Sequence, residues 1–354
     1  MSDNIPFELQ AEIIKRVLPV KSLIRFRSVS KQWKSLIDST EFITHHTLNN
    51  KTQPQHVLVR YITGGTRHTF VSADTCLPED KYVSIVDDDN FPQHKFSPVV
   101  PPTVKLLGRP FMLDCSHGLV CLLGYTRDRV NRKKKLVVVW NPLIGKSVGI
   151  EIPDRGDIVI GFGVCPKTSD PKILKISCFI DSEVEATAEV VIDGVIHWLA
   201  RDSITYELRF YSFDLASEKF GEAVDFPYDL ACGRLYGISK INNSLVLHSH
   251  YSVVTNLTPK TFCDVCIMLK NGVSKPSFTK LFTVNYDRVN RMIGFRKNGQ
   301  PIVDRTGGYD GELEVYEPCS ERINGLGIYG SAFMMTSYKE SLLLLNHSDS
   351  IIHS

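Results

Sequence analysis

The chain has 354 residues, 43% of them hydrophobic and 23% charged, with a formal net charge of +2. This is the composition of a globular chain with a sizeable core, and so even a charge balance excludes nucleic-acid or membrane binding driven by bulk electrostatics. The nine cysteines are odd in number and lack a framework spacing, which fits free thiols in a reducing compartment.

The first residues, MSDNIPFELQ, lack the basic-then-apolar pattern of a secretory signal, and no apolar run approaches the roughly 18 residues of a membrane span. An intracellular protein, cytoplasmic, nuclear or both, is expected. Up to about residue 48 the apolar spacing is helical: Leu9, Ile13 and Val17 step by four, Leu23 and Phe26 by three, and Trp33, Leu36 and Ile37 keep the same period. Pro6, Pro19 and Ser30 stand where helix starts are favoured, proline because its fixed φ suits a first turn and serine because its oxygen caps orphan amides. Three short helices are predicted over residues 1–48.

Residues 18–33, LPVKSLIRFRSVSKQW, are at once greasy and cationic. Between Ile5 and Ile37, 15 of 33 residues are large and apolar, more than three short helices can hide among themselves. A segment of this size also buries too little surface to stand alone. Excess apolar surface implies a partner. Docking onto the rest of the chain is the alternative, but the polar linker at 49–54, Asn49-Asn50-Lys51-Thr52-Gln53-Pro54, favours an independently presented module. Seven basic side chains lie between Lys15 and Lys34 with no acid among them.

After the linker the pattern becomes strand-like, as in His56-Val57-Leu58-Val59-Arg60-Tyr61 and Leu136-Val137-Val138-Val139-Trp140. LVVVWNPLIGKSVGIEIP (136–153) and LRFYSFDLASEKFGEAVDFP (208–227) share one layout, a strand, a turn and a second strand ending in Pro. Each reads as a hairpin, and each follows a compact apolar strand, GLVCLLG (118–124) or DGVIHWLA (193–200). Repeats of about 40 to 50 residues built from short antiparallel strands predict a β-propeller, with an irregular β-sandwich as the alternative. Residues 55–346 would hold roughly six blades on that period, leaving 347–354 as a tail. The fold class is therefore α+β and multidomain. Closure of the repeat is expected to pair a strand near His56–Tyr61 with one near Ser341–Leu345.

Ile5-Pro6, Leu9, Ile13-Ile14, Leu18-Pro19-Val20-Lys21-Ser22-Leu23, Phe26-Arg27, Val29-Ser30-Lys31, Trp33 and Leu36-Ile37 together resemble the F-box in the version common in plants. The family usually runs with one residue fewer before Leu-Pro-Val than Lys15-Arg16-Val17 supplies here, so the first helix should end one residue later. The resemblance implies a helical motif packed on a Skp-type adaptor, and through it a cullin-based ubiquitin ligase. Ile5, Pro6, Leu9, Ile13, Leu18, Pro19, Val20, Leu23, Phe26 and Trp33 would be the adaptor-binding residues. An acidic adaptor would suit the basic side chains, whose charge would speed and orient docking. Further on, Cys115-Ser116-His117-Gly118-Leu119, Trp140-Asn141-Pro142, Gly161-Phe162-Gly163, His197-Trp198-Leu199 and Ser212-Phe213-Asp214-Leu215 resemble, in their order, the plant F-box-associated domain. That likeness implies a kelch-like domain that selects a protein target, without naming one.

Other residues invite chemistry. Cys263-Asp264-Val265-Cys266 has the spacing of half a zinc site but no second pair completes it, so a strand role is expected. His248 and His250 would share a strand face as paired metal ligands do, yet no carboxylate cluster joins them. Cys115 and His117 suggest a nucleophile and base without an orienting third group; core and turn roles are expected. Asp87-Asp88-Asp89-Asn90 lacks the loop Gly and closing Glu of a calcium loop and reads as a solvated turn. Arg132-Lys133-Lys134-Lys135 reads as a solvated hairpin loop, with a nuclear import signal as the alternative. No catalytic residue, cofactor or metal is expected. The implied function is a non-catalytic substrate receptor of a ubiquitin ligase. An F-box protein working with the adaptor outside a ligase, or a propeller glycosidase with paired carboxylates, are the other readings.

Overall fold

A computed structural model describes residues 5–17, 19–48, 53–63, 78–126, 134–153, 158–177, 187–201, 208–225, 235–255, 258–269, 277–285, 291–305 and 311–352. The chain opens with four helices, α1 (Phe7–Val17), α2 (Val20–Phe26), α3 (Lys31–Ile37) and α4 (Thr40–Leu48). Pro19 occupies the N-cap of α2, and Ser30 Oγ accepts from the Trp33 amide at 3.1 Å to start α3. α1 reaches Val17, as the extra residue before Leu18 requires. Only three helices are legible in the sequence. The fourth begins where Ser39 Oγ accepts from the Phe42 amide at 3.2 Å, and its weak amphipathic pattern, THHTL after Phe42-Ile43, hides it from a periodicity argument.

Among the described residues the remainder is mostly antiparallel β, with one short helix and one parallel edge strand. In chain order the strands are β1 (Gln55–Thr63), β2 (Glu79–Val86) and β3 (Lys95–Phe96), then, after the short helix α5 (Pro102–Lys105), β4 (Leu107–Ser116), β5 (Leu119–Thr126), β6 (Lys135–Asn141) and β7 (Lys146–Ile152). A two-stranded sheet follows, β8 (Ile158–Val164) with β9 (Pro171–Ser177). The next sheet holds β10 (Thr187–Ile192), β11 (Val195–Arg201) and β12 (Leu208–Asp214), with β13 (Lys219–Phe220) and β14 (Val224–Asp225) both on β12. Then come β15 (Leu235–Ile241), β16 (Ser244–Thr255), β17 (Thr258–Leu269) and β18 (Ser277–Asn285), paired in that order. The last strands are β19 (Arg291–Phe295), β20 (Pro301–Arg305), β21 (Gly311–Glu317), β22 (Arg322–Lys339) and β23 (Ser350–Ile352), the last lying parallel to β7.

Both predicted hairpins form. In the first, the Leu143 amide donates to Asn141 Oδ1 at 3.1 Å; in the second, Asp214 Oδ1 accepts from the amides of Ala216 at 2.8 Å and Ser217 at 2.7 Å. These are Asx-type turns, in which a short polar side chain satisfies the backbone it reverses.

The 18-residue β22 serves two sheets. Its first half pairs with β21 from Glu317↔Arg322 to Gly311↔Gly330, and its second half pairs with β1 from Ile62↔Ser331 to Gln55↔Lys339. The N-terminal strand is thus held by a C-terminal one, as expected, but by residues 331–339 and not by Ser341–Leu345. The reason is periodicity. Leu342 and Leu345 join the helical core while Leu343 and Leu344 join the β core, and the Leu345 amide donates to Leu342 O at 3.0 Å; this is a turn repeat, which a two-faced strand cannot supply.

Each sheet packs on the next through its own core. Leu58 and Tyr338 meet Leu122, Val138 and Trp140; Val137 and Val139 meet Ile160 and Phe162; Leu174 and Ile176 meet Val191, Ile196 and Trp198. Val190 and Leu199 then meet Ile238 and Leu247, Val246 and Val265 meet Met292 and Tyr316, and Ile302 and Leu313 meet Val57 and Ile85.

Nor do the helices stand apart. Ile14, Val20, Leu23, Ile37 and Phe42 share one core with Leu342 and Leu345, and the Val20 amide donates to Glu340 Oε2 at 3.1 Å. The expected independent presentation is corrected on this point: a polar linker permits separation, but a seven-residue helix such as α2 has too little apolar partner surface of its own and buries it on the β domain.

Candidate functional site

The apolar residues of the helices divide into two faces. Val20 and Leu23 are fully buried against Leu342 and Leu345, so in this conformation they are not offered to a partner. Leu9 and Ile13, at 57% and 54% exposure, stand four apart on an uncovered face of α1, and Ile5, 47% exposed, lies just before that helix. Pro6 and Pro19 are exposed as well. Phe26 and Trp33 are half-buried, with Trp33 set between Phe7 (ring centroids 5.2 Å) and Phe26 (5.9 Å). Leu18 lies outside the described residues. Among the basic side chains, Arg27 pairs with Asp38 at 2.6 Å, Lys15 reaches Glu12 and Glu41 at 3.3 and 3.6 Å, and Lys21 lies over the Phe96 ring at 4.4 Å. Arg25, Lys31 and Lys34 are exposed.

On the β domain a cavity of about 940 Å³ is lined by β4, β10, β15, β19 and the second half of β22. Its wall carries a charged fastener. Asp114 on β4 accepts from the Val191 amide of β10 at 2.7 Å and from Lys240 Nζ of β15 at 2.9 Å, and Lys240 also donates to Cys115 O at 3.1 Å. Glu189 Oε1 accepts from the Phe162 amide at 3.1 Å.

Residues 2–45 match the F-box domain family. The chain is 48% identical over 256 residues to F-box protein At2g21930 of Arabidopsis thaliana, covering 62% of this chain and 60% of that protein. It is 30% identical over 255 residues to F-box protein At5g18160, covering 64% and 59%, and 26% identical over 270 residues to F-box/kelch-repeat protein At3g23880, covering 65% and 67%, both of the same plant. The chain carries an F-box domain and is similar to F-box proteins of a plant. It spans about three fifths to two thirds of the length of these curated relatives. A chain in the crystal structure of a nidogen/laminin complex aligns over 81% of this chain and 99% of that one at 8% identity and a TM-score of 0.29, too distant to bear on the fold.

In this F-box protein the remaining candidates fall into place. Cys115 is buried at the end of β4 and its thiol is pushed up to about 12 by burial. Ser116 Oγ lies 3.1 Å from His117 Nδ1, and His117 and Gly118 turn the chain into β5 at φ +49 and +82. A Cβ on Gly118 would lie 2.4 Å from Lys339 O. These are core and turn roles, as expected. The acidic run is different: Asp87 is buried and accepts from Arg296 Nε at 3.0 Å and the Lys297 amide at 2.7 Å, so it is a fastener between sheets and not a solvated residue. Asp88 does cap its turn, accepting from the Asn90 amide at 2.9 Å. Of the basic run, Arg132 and Lys133 lie outside the described residues; Lys134 pairs with Glu151 at 3.0 Å and Lys135 begins β6.

Burial, reinforced by the Asp114 charge, holds Glu189 well above the usual carboxylate range. The folded chain therefore keeps a proton that the unfolded chain loses above about pH 4, so stability falls as pH rises from there toward the folded value. Glu189→Gln, which still accepts from Phe162, should remove this slope. Thermal melts from acid to mildly alkaline pH would show the variant gaining on the native chain as pH rises; parallel curves would refute the assignment. No helix is long and apolar enough to cross a membrane among the described residues.

Proposed function

We propose that the chain is the substrate-recognition subunit of a Skp–cullin–F-box ubiquitin ligase, itself non-catalytic and acting in the cytoplasm, the nucleus or both. F-box domains bind Skp-type adaptors, and the observation that carries the reading is the uncovered face of Leu9 and Ile13, with Ile5 just before it, on helices whose opposite face is locked to the β domain. An adaptor covering that face, with Pro6, Pro19, Phe26 and Trp33 at its margin, would complete a shared core, while Arg25, Lys31 and Lys34 steer its approach. Pro19 stands at the N-cap of α2. The adaptor brings the cullin.

Residues 55–346 hold the target in this reading, as the sheets of a propeller of about six blades. The six inter-sheet cores and the cavity walled by the innermost strands support that arrangement. The name of At3g23880 includes kelch repeats, which is a propeller motif. Asp114 and Glu189 are both committed to backbone amides, which speaks for fasteners and against a glycosidase acid pair.

Co-purification tests this. The tagged full chain should retain a Skp-type adaptor and a cullin from plant extract. Replacing Leu9 and Ile13 by Asp forfeits two buried apolar side chains, about 3 to 6 kcal/mol, or at least about a hundredfold in adaptor Kd. Adaptor without cullin would place the protein outside a ligase. Undiminished adaptor binding by the double variant would overturn the assignment of this face.

A further inference from the structure

β16 and β17 are antiparallel, with His248 opposite Val265 and His250 opposite Cys263. Strand alternation therefore puts His248 and His250 on one face with Cys263, and Cys266 on the other. The candidate ligand atoms of His248, His250 and Cys263 all lie within 4.8 Å of one another. Cys263 Sγ is 3.8 Å from His250 Nε2, and the two imidazole rings are 5.8 Å apart at 82°. In tetrahedral zinc coordination, with Zn–N of about 2.0–2.1 Å and Zn–S of about 2.3 Å, the N to S edge is about 3.5 Å. The Cys263–His250 edge is thus within a few tenths of an ångström of that geometry, and the other pairs of ligand atoms lie within 4.8 Å.

Three further observations point the same way. His248 Nδ1 is buried without a hydrogen-bond partner among the described residues, a cost that coordination offsets. The ring also has built space: a Cβ on the facing Gly237 would fall 2.0 Å from His248 Cε1. His248 lines the cavity, which supplies an entry path for an ion.

We propose that His248, His250 and Cys263 bind one Zn²⁺ ion, with the fourth position open to water from the cavity. One thiolate and two imidazoles form a borderline-soft donor set that suits zinc and disfavours magnesium and calcium. Binding is not a redox step: the ion sheds water, a bond forms between zinc and the Cys263 sulfur, and the thiol proton passes to buffer. The ion would clip β16 to β17 on the face that packs against β19–β21, where Cys263 already lies beside Met292 and Val303.

The test uses the full chain, reduced and freed of metal by chelator, titrated with Co²⁺ and then Zn²⁺. One Co²⁺ per chain is expected, with a thiolate-to-metal charge-transfer band and tetrahedral d–d bands that Zn²⁺ abolishes, and with release of about one proton. His250→Gln and Cys263→Ser should each weaken binding at least about tenfold, whereas Cys266→Ser, on the opposite face, should not. Should Cys263→Ser fail to fold, the charge-transfer band of the native chain still reports thiolate ligation, and the half-buried His250→Gln remains informative. Absence of that band, an octahedral spectrum, zinc affinity indifferent to His250→Gln, or uptake of copper alone would overturn the proposal.

Discussion

Removing residues 340–354 should unfold the whole chain. Leu342, Leu343, Leu344 and Leu345 are at most 8% exposed, and together they fill the helical core and the core between β5–β6 and β8. At about 1.5–3 kcal/mol each, their burial amounts to about 6 to 12 kcal/mol, which matches the entire stability of an ordinary domain. Polar contacts go with them. Asn141 is fully buried and donates to Ser341 O and Leu343 O, each at 2.9 Å; truncation would leave that amide unsatisfied in the interior. Glu340 holds the Val20 amide, Asn346 holds Asp38 O, and Asp349 accepts from the Ser147 amide at 2.9 Å. The expected result is an aggregated or protease-sensitive product without a cooperative melt. A truncated chain that melted like the native one would show that this segment is dispensable.

The second large effect separates the two faces of the F-box. Leu23→Ala empties a fully buried position and should cost about 2–5 kcal/mol of stability, seen as a lower Tm or as early protease cleavage between the helices and the β domain. Leu9→Ala, at a site 57% exposed, should leave stability within about 0.5 kcal/mol while weakening the adaptor. Measured side by side, melting and surface-plasmon binding should therefore rank the two variants in opposite orders. Equal loss of adaptor affinity at matched fold content would mean that the helices leave the β domain to bind. The charges divide as well. Neutralising Arg25 should slow association and do so less at high salt, but Arg27 is engaged with Asp38 by two bonds of 2.6 and 3.0 Å, so its loss should appear in stability too.

Which features were legible from residues alone follows from the range of the forces involved. Helix starts at Pro19 and Ser30 and hairpin turns at Asn141 and Asp214 rest on bonds spanning a few residues, so the local sequence determined them, along with the change from helical to strand periodicity near residue 50. The family resemblance was equally legible, because it lies in ordered short motifs. Burial is decided by whatever arrives from elsewhere in the chain. Val20 and Leu9 are both apolar helix residues, and only the arrival of Leu342 and Leu345, more than 300 positions away, makes one core and leaves the other exposed. Asp87 looked solvated until Arg296 came to it. The two half-sites, His248 with His250 and Cys263 with Cys266, each looked incomplete; strand register, which no local pattern specifies, split the cysteines between two faces and set Cys263 against His250.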